Sequence, residues 1–197
     1  MIKQYTQDYF NEVRKVLDEI ALEDIENIAG IVHNAYKDNR HIFIMGNGGS
    51  AATASHFACD LGKGTLHPTD TKRIQRFKVT ALTDNVPLMT AWGNDTHYDN
   101  IFSEQLKNLL SEGDVVIGIS ASGNSKNILN AINVAKEYGA ITIGLIGFDG
   151  GELAKLADAS VVARVNRYDI AEDIHLMLTH IITRYFLELL SGENFIS

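Results

Sequence analysis

The sequence predicts an α/β fold, a parallel sheet covered by helices on both faces. Three observations carry this reading. Five short apolar segments alternate with helical patterns along the chain. Several of them are apolar at consecutive positions, as strands buried on both faces are. Only two prolines interrupt the 197 residues and no linker, internal repeat or low-complexity segment stands out, so one domain spans 1–197.

The elements follow in order. Residues 3–37 carry Val13, Val16, Leu17, Ile20, Ala21, Ile25, Ile28 and Val32 at helical spacing, with charged residues between them. They read as an N-terminal helical region, 1–37, packing on the domain, with a second helix start offered at Asp24-Ile25-Glu26. LEDIEN, 22–27, reads as exposed helix surface. HIFIM, 41–45, closed by glycines, reads as a buried strand, and Ser50 to Leu61 as a helix. FKVTALT, 77–83, reads as a strand. Asn85 to Trp92 reads as a short helix and Asp99 to Leu110 as a longer one. DVVIGIS, 114–120, is an almost wholly apolar strand. Asn124 to Tyr138 is amphipathic and is stopped by Gly139. AITIGLIG, 140–147, and ASVVARV, 159–165, are strands, and Asp169 to Leu190 closes the fold as a long helix.

Composition narrows the function. The net charge is −8 and no run of Lys or Arg occurs, which argues against nucleic acid as a partner. An anionic ligand must then be held by local donors. Cys59 is the only cysteine, so neither a disulfide framework nor a CxxC metal pattern exists, which fits a reducing cytoplasm. MIKQYTQDYF lacks the form of a signal peptide, and no apolar run approaches the ~20 residues of a membrane span.

Two glycine- and serine-rich turns hold the chemistry. GNGGSA, Gly46 to Ala51, matches G-x-G-x-x-A between a strand and a helix. The acidic residue that a dinucleotide site wants about 20 positions on is missing, because the next strand ends near Asp84. GKGT, 62–65, resembles the tail of a P-loop, but Gly64 stands where Ser or Thr is required. SASGNS, Ser120 to Ser125, is stronger. It joins the end of a buried strand to a helix N-terminus, where free N–H groups, the helix dipole and serine hydroxyls bind a phosphate monoester without lysine. A single capping serine needs none of this multiplicity.

GNGGSA followed by HFA, then GND at 93–95, SASGNS, and FDGGELA at 148–154 resemble the sugar isomerase (SIS) domain family, most closely its phosphoheptose isomerase branch. The resemblance covers essentially the whole chain. It implies a three-layer sandwich with a parallel five-stranded flavodoxin-like sheet flanked by N-terminal and C-terminal helices. It implies a homotetramer with active sites built at subunit contacts, and interconversion of sedoheptulose 7-phosphate and D-glycero-D-manno-heptose 7-phosphate. Sugar-phosphate contacts are implied for Asn47, Gly48, Gly49, Ser50, Asn94, Asp95, Ser120, Ala121, Ser122, Ser125 and Glu172. Members of this branch often carry zinc, and the positions matching its ligands are His56, Asp60, Glu172 and His180. The family usually has glutamate at Asp60 and often glutamine at Glu172, so this site is shorter in reach and more anionic.

The residues themselves agree in part. His56 and Asp60 are spaced i, i+4 on one helix face, and Glu172 and His180 lie about two turns apart on the closing helix. Two histidines and two carboxylates make a plausible Zn²⁺ ligand set. Aldose–ketose isomerisation needs a base, an acid and a stabilised enediolate. Asp60 and His180 are assigned to the proton shuttle, with His175 as the alternative histidine. Trp92 reads as core or subunit contact, Cys59 as a small buried apolar residue, and His33, His41 and His67 carry no partner pattern. His97 reads as a solvated loop residue. Two other readings stand beside the isomerase. One is a non-catalytic SIS protein that binds a sugar phosphate or associates with a replication initiator. The other is an isomerase of a different ketose phosphate.

Overall fold

The structure is a computed structural model and describes residues 1–66 and 75–191; His67 lies outside them. Eight α-helices and five strands occur among these residues. They are α1 (Ile2–Glu19), α2 (Leu22–Lys37), β1 (His41–Gly46), α3 (Gly49–Cys59), β2 (Lys78–Ala81), α4 (Val86–Asp95) and α5 (Ser103–Leu109). Then come β3 (Val115–Ser120), α6 (Lys126–Glu137), β4 (Ile141–Gly147), α7 (Leu153–Leu156), β5 (Ala159–Ala163) and α8 (Tyr168–Ser191).

All strands are parallel, in the order β2-β1-β3-β4-β5. This is the flavodoxin-like order, and the direction of winding reverses between β1 and β3. Strand residues alternate between two cores, as the period of two requires. Ile42, Ile44, Ile117, Ile119, Leu145 and Val161 face a cluster with Phe57, Leu61, Ile174, Ile182 and Phe186 of α3, the turn after it, and α8. Phe43, Met45, Val116 and Ile146 face a second cluster with Phe102, Leu106, Ile128, Ile132 and Leu153 from the α5, α6 and α7 side. Helices thus cover both faces, and the expected three-layer sandwich is present.

The N-terminal region is two helices rather than one. Ile20 and Ala21 take extended ψ values of 126° and 118°, which turns the chain back so that both apolar stripes reach the same face. The second helix starts at Leu22, two residues before the sequence signal. LEDIEN is largely exposed, as expected. Polar contacts lock α1 to α8. The Tyr9 hydroxyl donates to Asp173 Oδ2 at 2.6 Å, and Arg167 bonds Glu12 Oε2 at 2.7 Å while lying over the Tyr9 ring. The 99–110 segment is also divided, into a 3₁₀ turn at Tyr98–Asn100 and α5. The short α7, within FDGGELA and the residues after it, carries no strong sequence period because it is a single turn.

Candidate active site

The crevice outside the carboxyl ends of β1 and β3 is where such a sheet places ligands. Asn47, Ser50, Ser120, Ala121, Ser122 and Ser125 line a small cavity there of about 130 Å³, joined by Tyr168 and Glu172 from α8. Six of the eleven residues expected to touch a sugar phosphate therefore meet in one place, and Glu172 makes a seventh.

Local geometry explains the turn after β1. A Cβ on Gly46 would collide with the backbone of Ser50, so only glycine lets the first turn of α3 fold back over the strand end. Gly48 adopts φ 55°, outside the range that favours side chains. A Cβ on Gly49 would lie 2.5 Å from Glu172 Oε2, so glycine there admits the Glu172 carboxylate to the cleft wall.

The serine turn is built around hydroxyls left for a ligand. Ser125 is the N-cap of α6, yet its side chain makes no capping hydrogen bond. The residue that takes that part is Asn127, whose Oδ1 accepts from the Ile128 N–H at 3.0 Å. Ser120 Oγ accepts from the Gly123 N–H at 3.1 Å, and Ser122 Oγ accepts from the Asn124 N–H at 3.2 Å. FDGGELA braces the turn from behind. Its Glu152 N–H donates to Asn124 Oδ1 and its Leu153 N–H to the Gly123 carbonyl.

Farther along α8, His180 meets His56 and Asp60. The two Nε2 atoms stand 2.9 Å apart, and Asp60 Oδ2 lies 3.3 Å from the His56 nitrogen and 3.9 Å from the His180 nitrogen. Asp60 opens a π-helical turn, Asp60–Gly64, that continues α3; such widened turns are frequent at functional sites. Both histidines are about half exposed and Asp60 about a quarter. Tetrahedral ligands on Zn²⁺ at ~2.0–2.1 Å stand about 3.3 Å from one another. The three separations bracket that value, so the N, N, O donor set fits a divalent metal. Glu172, the fourth expected ligand, is not in this cluster; its carboxylate faces Gly49 and the cleft.

Other expectations land differently. Asn94 and Asp95 end α4, are exposed, and bond each other at 2.8 Å. They do not line the cleft, and their segment reaches it through Tyr98, whose hydroxyl donates to Asn47 Oδ1 at 3.0 Å. His175 is fully buried and points off the His180 face, since five residues turn the helix by about 140°. Neither of its ring nitrogens has a hydrogen-bond partner. Burial pushes its pKa down to about 4, opposed by the nearby Ile146 backbone, which falls short of a well-formed hydrogen bond. It is no substitute for His180. Cys59 is exposed, contrary to the sequence reading, because it shares the solvent side of α3 with His56 one turn before it. Trp92 is half-buried. Tyr168, Asn127 and Tyr98 were not legible as site residues. Only the position of Asn127, two residues after the serine turn, hinted at a role.

Comparison with known proteins gives a consistent set of matches. A SIS domain family model matches residues 8–147. A phosphoheptose isomerase of Sulfurimonas denitrificans is 39% identical over 185 residues, 92% of this chain and 91% of its own length. One of Clostridium acetobutylicum is 40% identical over 174 residues, covering 88% and 86%. The structure of a phosphoheptose isomerase from Neisseria gonorrhoeae superposes with a TM-score of 0.85 at 30% identity, over 94% of this chain and 98% of that one.

Proposed function

The chain belongs to the SIS domain family, and from that premise we propose that it is a phosphoheptose isomerase. It interconverts sedoheptulose 7-phosphate and D-glycero-D-manno-heptose 7-phosphate through an enediol, in nucleotide-activated heptose biosynthesis. It is an intramolecular oxidoreductase acting on an aldose–ketose pair. The observation that carries the reading is the convergence of Asp60, His56 and His180 on the same helix pair, α3 and α8, that walls the serine-lined cleft.

The phosphoryl group sits against Ser120, Ser122 and Ser125 and the first N–H groups of α6, with no cation needed. Glu172 and His180 are eight residues apart, about 12 Å along α8. An extended heptose 7-phosphate measures roughly 9 Å from phosphorus to C2 and a pentose 5-phosphate roughly 6 Å, from bonds of about 1.5 Å. The longer sugar crosses more of the distance from cleft to histidines, which supports the seven-carbon substrate over a shorter ketose phosphate. Anchoring the phosphate then holds C1 and C2 against the reacting groups. Asp60 and His180 move the proton between C1 and C2, one taking it as base and the other serving the oxygens as acid. Glu172 binds a sugar hydroxyl. His56, Asp60 and His180 are the groups that would hold a Zn²⁺ ion, which when bound would polarise the substrate's carbonyl and hydroxyl oxygens; Glu172, on the cleft wall, lies outside that set.

A non-catalytic binding protein has no use for an acid–base pair beside its phosphate cradle, and Asp60 and His180 weigh against that alternative. The protein acts as one SIS domain, 1–197, in the cytoplasm and as a homotetramer. In support of assembly, α4 buries none of its residues although it contains Val86, Pro87, Leu88, Met89, Ala91 and Trp92. Exposed Asn94 and Asp95, and the half-exposed side chains of His56 and His180, fit sites completed at subunit contacts. No helix among the described residues is long and apolar enough to cross a membrane. Replacement of Asp60 or His180 by Ala tests the assignment: each should lower kcat by at least about 10²-fold with the fold intact. Full turnover by both variants would remove the proton-shuttle roles.

A further inference from the structure

The Asn47 carboxamide, on the cleft wall, is gripped by two side chains from different segments. Its Oδ1 accepts from Asn127 Nδ2 at 2.8 Å and from the Tyr98 hydroxyl at 3.0 Å. Its Nδ2 donates to Asn127 Oδ1 at 2.9 Å. An amide oxygen has two lone pairs and its nitrogen two protons. Both lone pairs are occupied and one proton is committed, so a single N–H remains for a ligand.

What decides that Asn47 offers an N–H rather than a carbonyl is a backbone group two residues removed in the network. Asn127 is buried at the first turn of α6, and its Oδ1 also accepts from the Ile128 N–H. A backbone N–H is only ever a donor. If the Asn127 amide flipped, its NH₂ would face that N–H, donor against donor. With Asn127 thus oriented, a flipped Asn47 would set its NH₂ against the Asn127 NH₂ and its oxygen against the Asn127 oxygen. The helix N–H therefore dictates the polarity of Asn47 through two carboxamides in series.

We propose that Asn127 and Tyr98 are positioning residues for substrate binding. Together they lock the Asn47 amide so that it presents one N–H donor to an oxygen of the bound sugar phosphate. Tyr98, from the turn after Asn94 and Asp95, joins that segment to the lock. The inference deepens the isomerase reading and rests on it for the identity of the ligand. The carboxamide of an unlocked Asn47 turns away or bonds water, and the ligand loses a hydrogen bond worth about fivefold or more in affinity, about 1 kcal/mol. Loss of the lock weakens binding and leaves the proton transfers at Asp60 and His180 in place.

The test is a double-mutant cycle. Tyr98→Phe removes one hydroxyl from an exposed ring and keeps the fold; Asn127→Leu removes the whole partner. Sedoheptulose 7-phosphate affinity is read by calorimetry and turnover by KM and kcat. Tyr98→Phe should raise Kd and KM about fivefold and Asn127→Leu about tenfold or more, with kcat within about twofold. In an Asn47→Ala background each should change Kd by less than about twofold, because nothing is left to orient. Unchanged Kd and KM for Tyr98→Phe, or losses that multiply undiminished in the Asn47→Ala background, would overturn the proposal. Asparagine-labelled protein without ligand gives a second reading: the side-chain NH₂ resonances of Asn47 should move on Tyr98→Phe, and unmoved resonances would refute the lock. That reading holds even if the wild type neither binds nor turns over sedoheptulose 7-phosphate, the outcome that sinks the isomerase assignment instead.

Discussion

His175 should make the protein lose stability in mild acid, by an amount set by its burial. The imidazole is fully enclosed between α8 and the sheet, and neither ring nitrogen is hydrogen-bonded. Burial holds its pKa down at about 4, against an ordinary 6.5. Between these two values the unfolded chain binds a proton that the folded chain refuses, so stability rises with pH through the window and falls as pH drops below about 6.5. The full effect is about 3 kcal/mol and is reached only below the folded pKa. Between about pH 7 and about pH 5 the loss is about 2 kcal/mol, or roughly 4–8 °C in Tm for a domain of this size. Urea unfolding of the wild type and of His175→Leu across that range isolates the group, because every other titrating residue is common to both. The stability difference between them should shift by about 2 kcal/mol in favour of the variant as the pH falls. A difference that stays flat to within about 0.5 kcal/mol would show that the imidazole is solvated or paired, and the reasoning from burial would be wrong.

The two glycines before α3 should separate fold from binding. Gly46→Ala drives a methyl into the Ser50 backbone, which cannot move aside, and should cost more than about 2 kcal/mol in denaturant titration. Gly49→Ala meets only the end of the Glu172 side chain, so stability should change by less than about 1 kcal/mol while KM for the sugar phosphate rises. On metal, protein purified without chelator should carry a divalent ion by elemental analysis, and His56→Ala should lose it without unfolding. Equal metal content in the variant would dismiss the three-residue cluster as the site.

The layered architecture was readable because strands and helices announce themselves by period. The five apolar segments became the five strands, and their consecutive apolar positions, Phe43, Ile44 and Met45 among them, pointed to helices on both faces. Less readable was anything governed by tertiary contact. The break at Ile20 and Ala21 has no Pro or Gly to signal it and exists because two helices must lie on one face. The burial of His175 and the exposure of Cys59 depend on which side of a helix meets the sheet, a choice that a composition of mixed character leaves open. The serine turn and the His56–Asp60 spacing were visible as local patterns. Tyr98 and Tyr168 reach the cleft from other segments and no local pattern marks them, while Asn127 is signalled only by its place just after the serine turn.

An enediol route requires proton exchange at the reacting carbons. The most direct measurement is NMR of sedoheptulose 7-phosphate incubated with the purified protein in D₂O. An enediol route predicts a new aldose 7-phosphate carrying deuterium at C2. A spectrum that shows no new species, with or without added zinc, would contradict the isomerase assignment and leave the serine-lined cleft as a site that binds without transforming.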